Sequence, residues 1–190
     1  MTKITERGMF FNGEMVRALL DGRKTQTRRP VKFPLFDKNL GCELAGNELA
    51  GELAAGNYLN SAFGKPGHRI WVRETWTPES IDAEDGSYSP DYRATANGQP
   101  LDGRWTPAIH MPRWASRITL EITDVRVERL KSISDGDAIR EGCSATDMKS
   151  GDCAADVFAR LWASIYGEES WNSNPWVWVI QFERVEGGAA

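Results

Sequence analysis

Hydrophobic and polar positions alternate with a period of two in three stretches. In residues 116–130, SRITLEITDVRVERL, Ile118, Leu120 and Ile122 fall on one face and Thr119, Glu121 and Thr123 on the other, and the alternation resumes with Val125 and Val127. That pattern predicts a long, half-buried antiparallel strand, bent or broken at Asp124. Residues 68–76, HRIWVRETW, place Ile70 and Val72 against Arg69, Trp71 and Arg73 behind the turn signal Lys65-Pro66-Gly67, which predicts a second strand. WVWVIQFERV, 176–185, predicts a third that closes the fold. Helical spacing appears elsewhere. After Asn12, residues Met15, Val16, Leu19 and Leu20 share one face, with Gly22 placed as a left-handed cap. Ser134 is positioned to cap a short helix, DGDAIREG, that ends at Gly142. Asp152 opens a longer one whose buried stripe is Val157, Phe158, Leu161, Trp162 and Ile165.

Two stretches carry no such period. Residues 37–64 contain a near-repeat of Glu-Leu-Ala broken by Gly and Asn, too short for a solenoid unit, and are read as an inserted surface loop or short helix. Residues 77–106 are rich in Pro, Gly, Asp and Ser and read as a second long excursion, whose acidic part, 79–91, is solvated surface. Few helices, several non-sequential antiparallel strands and long loops predict an α+β fold built on a small closed or nearly closed β-barrel. At 190 residues and 41% hydrophobic content the chain suffices for one domain, 1–190, enlarged by the two insertions.

Charge narrows the partners. A formal net charge of -4 argues against bulk attraction to duplex nucleic acid. Three cysteines, Cys42, Cys143 and Cys153, and two histidines, His68 and His110, assemble no zinc signature, so neither metal nor cofactor is expected. Cys143 and Cys153 read as small core residues, and the sparse, odd set fits reduced thiols in a cytoplasmic protein. No apolar run approaches the roughly 20 residues of a membrane span and no apolar signal core is seen.

Against this acidic background, Met15 to Lys32 holds six basic residues and one acid, Asp21. Lys24 and Thr27 lie three apart just beyond the first helix, where a turn could set both at one mouth. The plain reading of GRKTQTRRP is a solvated basic turn that interacts with the helix dipole.

The pattern Gly22-x-Lys24-x-x-Thr27-x-Arg29 after a short helix resembles the signature of the ASCH family, PUA-like β-barrel domains related to RNA-binding and RNA-modification modules. WVRETW, IHMPRWASRI, ITLEITDVRVERLKSISDGDAIREG and NPWVWVIQFERV extend the resemblance, and together with RALLDGRKTQTRRP they are similar to the larger bacteriophage or prophage subgroup. The resemblance implies a nucleoside or single-stranded RNA as partner, and RNA binding, ribonuclease action or hydrolysis of N4-acetylcytidine as activity. The small amidohydrolases of the family use a lysine and a threonine of the first motif with a glutamate of the short helix, which here are Lys24, Thr27 and Glu141. Like charge from Arg23, Arg28 and Arg29 would lower the pKa of Lys24, leaving a neutral fraction as base toward Thr27 or a water. Lys24 could instead polarise the carbonyl oxygen.

Further ligand-binding candidates surround this set. Arg28 and Arg29 extend the basic motif, with Arg29 the motif arginine that orients a carboxylate or phosphate. Arg73, Glu74 and Trp76 come from the second strand, where Glu74 pairs with a basic group such as Arg29 or serves the ligand. His110, Arg113, Trp114 and Arg117 could together meet a phosphate and stack a base, or be a tucked segment with Trp114 in the core; His110 is the acid-base group of a ribonuclease reading. Trp171 could rim a base pocket.

Overall fold

The computed structural model describes residues 4–81, 88–96, 99–100 and 102–185. Its strands are β1 Glu6–Phe10, β2 Gln26–Pro30, β3 Arg69–Arg73, β4 Trp76–Ile81, β5 Tyr88–Tyr92, β6 Gln99–Pro100, β7 Thr119–Arg129 and β8 Trp176–Arg184. Its α-helices are α1 Gly13–Leu20, α2 Gly46–Ala54, α3 Asp135–Arg140, α4 Ala154–Tyr166 and α5 Glu168–Asn172. The chain divides into two compact units, Met1–Gly22 with His68–Glu121 and Glu183–Ala190, and Arg23–Gly67 with Ile122–Phe182. The α+β class stands. The barrel does not: β1 pairs only with β3 and β2 only with β8, so among the described residues no pairing closes a ring.

In the first unit β1 runs parallel to β3, and β3 is antiparallel to the start of β7, with Ile70 opposite Leu120. Ile70, Val72, Leu120 and Met9 are buried, as are Val16 and Leu19 of α1. Asn12 caps α1 by accepting from the Met15 amide at 2.8 Å. Gly8 is glycine because the Trp71 indole lies across it; a Cβ would come within 2.7 Å of the ring. Residues 77–106, expected as a periodless excursion, contribute most of a three-stranded sheet in the order β5-β4-β6, with Trp76 at its start. Each of its strands carries a proline, and the register shift between Thr77 and Ser80 spans Pro78, so proline-tolerant irregular pairing hid these strands from a pattern search. The central part of the acidic loop, 82–87, lies outside the described residues.

The second unit contains the rest of β7, then β8 and β2. Burial along β7 changes phase, from Leu120 and Ile122 to Val125 and Val127, so the strand continues through Asp124 while its inward set slips by one residue. That slip turns Arg126 and Glu128 to the face opposite Val125 and Val127. Leu130, Ile133, Ala138, Phe158, Trp162, Val177 and Val179 form the core that α3 and α4 cover. Of the stripe predicted for α4, Leu161 is half-buried and Ile165 is exposed. Residues 37–64 resolve into helix α2, with Leu49 and Leu53 buried, and an Asp37–Asn60–Glu52 hydrogen-bond set. Gly46 opens α2 flush against the Trp176 indole, where a Cβ would stand 2.4 Å from the ring.

Candidate functional site

The basic motif leaves a turn at Asp21 and Gly22 and runs into a strand, with Lys24 just before it. Residues 26–30 form β2, with Thr27 opposite Ile180 and Arg28 opposite Val179 on β8, and Pro30 ends it where a missing N–H is tolerated at an edge. A period of two then groups Lys24, Gln26 and Arg28, and all three reach Glu141. Glu141 stands at the C-terminus of α3. Ser134 caps that helix reciprocally with Asp137, and Gly142, at φ 99°, ends it. The Thr25 amide donates to the Arg140 carbonyl at 2.8 Å, which ties the approach of β2 to the helix end.

Lys24 Nζ donates to Glu141 Oε2 at 3.1 Å and to the Glu141 main-chain carbonyl at 2.8 Å. The second acceptor is a helix C-terminal carbonyl, where a cation is favoured. The lysine side chain is wholly buried and the glutamate nearly so. Burial is the largest influence on the Lys24 ammonium and lowers its pKa; the Glu141 carboxylate opposes this, and Arg29 adds a smaller push downward. The expected direction therefore holds, with desolvation rather than like charge as its main cause.

Arg28 has no side-chain exposure and is held by three carboxylates: Glu141 Oε1 at 3.0 Å, Glu128 Oε1 at 2.6 Å and Asp137 Oδ2 at 3.5 Å. Arg126, from β7, bridges Glu128 and Asp137. Lys24, Arg28 and Arg126 thus face Glu128, Asp137 and Glu141, with Arg140 also on Asp137 at 3.1 Å and Asp124 also on Arg126 at 3.4 Å. Burial raises the Asp137 pKa, but its Ser134 hydrogen bonds and then the Arg28 and Arg126 charges bring it below the ordinary carboxylate value. Thr27 lies between the inward residues. Its buried hydroxyl makes no hydrogen bond to Lys24, Glu141 or any other group among the described residues. Cys143, half-buried against the core nearby, has its thiol pushed up to about 11 by burial and then by the Glu141 charge, the wrong direction for a nucleophile. Cys153 is exposed at the cap of α4 rather than in the core.

The second set of candidates belongs to the first unit. Glu74 is buried, and Arg117 grips both its oxygens, at 2.9 and 3.0 Å. Arg117, rather than a basic group of the first motif, is its ion-pair partner. The Arg117 guanidinium also stacks over Tyr92 at 4.0 Å and donates to Thr95 Oγ1. Arg73 lies over the Phe10 and Trp71 rings and donates to the Ile109 carbonyl. Trp76 is buried in a small core with Met111 and Ala115. Arg113 pairs with Glu6, and His110 is exposed. Trp114 is 71% exposed, edge-on to Trp76. Trp171 is partly buried and packs on the core of the second unit, edge-on to Phe158.

Gln26, Glu128, Asp137 and Arg126 complete the first network and were missed from sequence, whereas Arg117, grouped there with His110 and Arg113 as a phosphate contact, holds Glu74 instead. The available signal was the spacing Lys24-x-Gln26-x-Arg28, a strand period hidden by reading the stretch as a turn. Among the described residues no group of three His, Cys, Asp or Glu is placed to hold a metal, and no helix is long and apolar enough to cross a membrane.

No protein-family model matches the chain, and no curated protein matches it either. Among solved structures it is similar to an ASCH domain from Lactobacillus crispatus, at 11% identity and a TM-score of 0.46, over 95% of this chain and 79% of that one. The hypothetical protein PH0355 follows at 13% identity and a TM-score of 0.43, over 95% of this chain and 100% of the other. The protein EF3133 from Enterococcus faecalis, of the family model DUF984, is similar at 13% identity and a TM-score of 0.42, over 97% of this chain and 82% of that one.

Proposed function

We propose that the chain hydrolyses an N-acyl bond on a modified nucleoside of the N4-acetylcytidine type, with Lys24 and Glu141 as the proton-transferring pair. The observation that carries this reading is the burial of Lys24 Nζ against Glu141 Oε2 at 3.1 Å with a lowered pKa. A buried amine whose pKa is lowered by desolvation, touching a carboxylate, is the kind of pair that general acid–base chemistry uses. Neutral Lys24 takes a proton from water as the water oxygen bonds to the acyl carbon. The C–N bond then breaks, and the ammonium returns a proton to the departing exocyclic amine, leaving acetate and cytidine. Glu141 holds the ammonium between the two transfers. Water is the attacking group in this scheme, because the Thr27 hydroxyl has no hydrogen bond to either partner. The resemblance of the first motif and of DAIREG to the ASCH amidohydrolases supports the same assignment.

Charge accounting disfavours an RNA-backbone reader or a ribonuclease. Lys24 and Arg28 are matched by internal carboxylates and have no side-chain exposure, so neither supplies the counterion release on which phosphate binding depends. Purified protein incubated with N4-acetylcytidine should convert it to cytidine, followed by absorbance, and Lys24→Ala should not. No turnover by the wild type, or equal turnover by Lys24→Ala, overturns the hydrolytic reading. Salt-dependent RNA affinity without product would favour the binding module, and cleavage lost in His110→Ala the ribonuclease.

A further inference from the structure

Taking Lys24 and Glu141 as the reacting pair, which rests on the function proposed above, we infer that Arg28 is the positioning residue of that pair and not a binding group for an anionic ligand. Arg28 holds Glu141 by one carboxylate oxygen and so leaves the other to Lys24. The division is explicit in the contacts. Oε1 receives Arg28 Nη1 at 3.0 Å and Gln26 Nε2 at 3.5 Å, whereas Oε2 receives Lys24 Nζ at 3.1 Å. Both terminal nitrogens of the Arg28 guanidinium are occupied, because Nη2 is taken by Glu128 Oε1 at 2.6 Å and faces Asp137 Oδ2 at 3.5 Å, while Nε is buried with no hydrogen-bond partner among the described residues.

Those outer carboxylates are anchored independently. Asp137 is held by the Ser134 cap, and Glu128 accepts from Arg126 Nε at 3.2 Å. The guanidinium therefore acts as a rigid spacer between two fixed carboxylates and Glu141. Its planar fork spans them at once, which a lysine ammonium on a flexible stem does not do. Phe158 lies 5.7 Å from the guanidinium carbon and adds an aromatic contact on the core side. Without Arg28, Oε1 keeps only the long contact to Gln26, whose own orientation is set by Gln181 at 3.2 Å. Glu141 can then rotate, and Lys24 loses its fixed partner. A displacement of about 1 Å at a reacting group costs on the order of 100-fold in rate.

The test uses the full chain, labelled with 15N-lysine. In the wild type the Lys24 ammonium, buried and bonded to two acceptors, should give a protected 15N–1H signal. Arg28→Gln should abolish or strongly shift it, Arg28→Lys should not restore it, and Glu128→Gln, which loosens the outer anchor, should shift it less. On N4-acetylcytidine, Arg28→Gln should lower kcat about 100-fold with KM changed by less than about twofold. Should Arg28→Gln fail to fold by circular dichroism, Glu128→Gln decides the matter. An unchanged Lys24 signal in the folded variants, or a kinetic loss that appears in KM, overturns the positioning role. If the wild type turns over no N4-acetylcytidine, the hydrolytic reading fails alone, because the Lys24 signal reports positioning without substrate.

Discussion

Each of the two units contains a buried glutamate gripped by an arginine, and the two arrangements do opposite things. Glu74 gives both oxygens to Arg117, whose guanidinium is also stacked on Tyr92 and tied to Thr95. It is saturated, and it fastens the chain after β5 to the end of β3. Glu141 divides its oxygens between an arginine and a lysine, so one remains committed to a group whose protonation is perturbed. A fork-to-fork pair closes a carboxylate; a shared one leaves it coupled to a proton carrier.

The sharpest way to break this comparison is activity. Glu141→Gln should reduce N4-acetylcytidine turnover by on the order of 1000-fold, the scale of general acid–base catalysis, while Glu74→Gln changes it little once folded. Equal losses, measured as kcat/KM, would erase the distinction. Next in size is an asymmetry in stability. Arg117→Ala strands a carboxylate that is 2% exposed and should cost about 3 kcal/mol or more in denaturant unfolding. Glu74→Gln should cost less, because Arg117, at 26% side-chain exposure, can still be hydrated.

A pH signature follows from Lys24. Its folded pKa lies below the unfolded value, so the unfolded chain binds more protons between the two, and stability should rise with pH toward about 10.4. Lys24→Met should flatten that rise in urea unfolding at successive pH values, whereas Glu74→Gln leaves it in place. The smallest effect is expected at Thr27. Its buried hydroxyl is unpartnered, so Thr27→Val removes a desolvated group without breaking a bond and should stabilise by about 1 kcal/mol. Turnover should survive in that variant, since water is the nucleophile; its abolition would return Thr27 to the chemistry.

The legible elements were those whose hydrophobic pattern and boundary signals agree. β3 and β7 alternate, β8 is an apolar run buried on both faces from Val177 to Ile180, and α1 and α3 have their caps where Asn12, Gly22, Ser134 and Gly142 announce them. β1 left no trace, because in an edge strand with only Met9 buried there is no alternation to see. β2 was hidden for the opposite reason. Gln26, Thr27 and Arg28 are all buried, and two of them are satisfied by ionic and hydrogen-bond partners, so burial there does not coincide with hydropathy.

Composition, periodicity and capping residues by themselves determined the α+β class, the main strands and the helix ends, since these depend on neighbours within a few positions. They also marked Lys24 and Glu141, through the resemblance of the motifs around them. Only the tertiary structure decided which carboxylate meets which cation: that Glu141 is shared, that Glu74 belongs to Arg117, and that Arg28 faces inward between three acids. Partners about 100 residues apart are chosen by strand register and by the slip in β7 that brings Glu128 to Arg28, and local sequence carries no record of either.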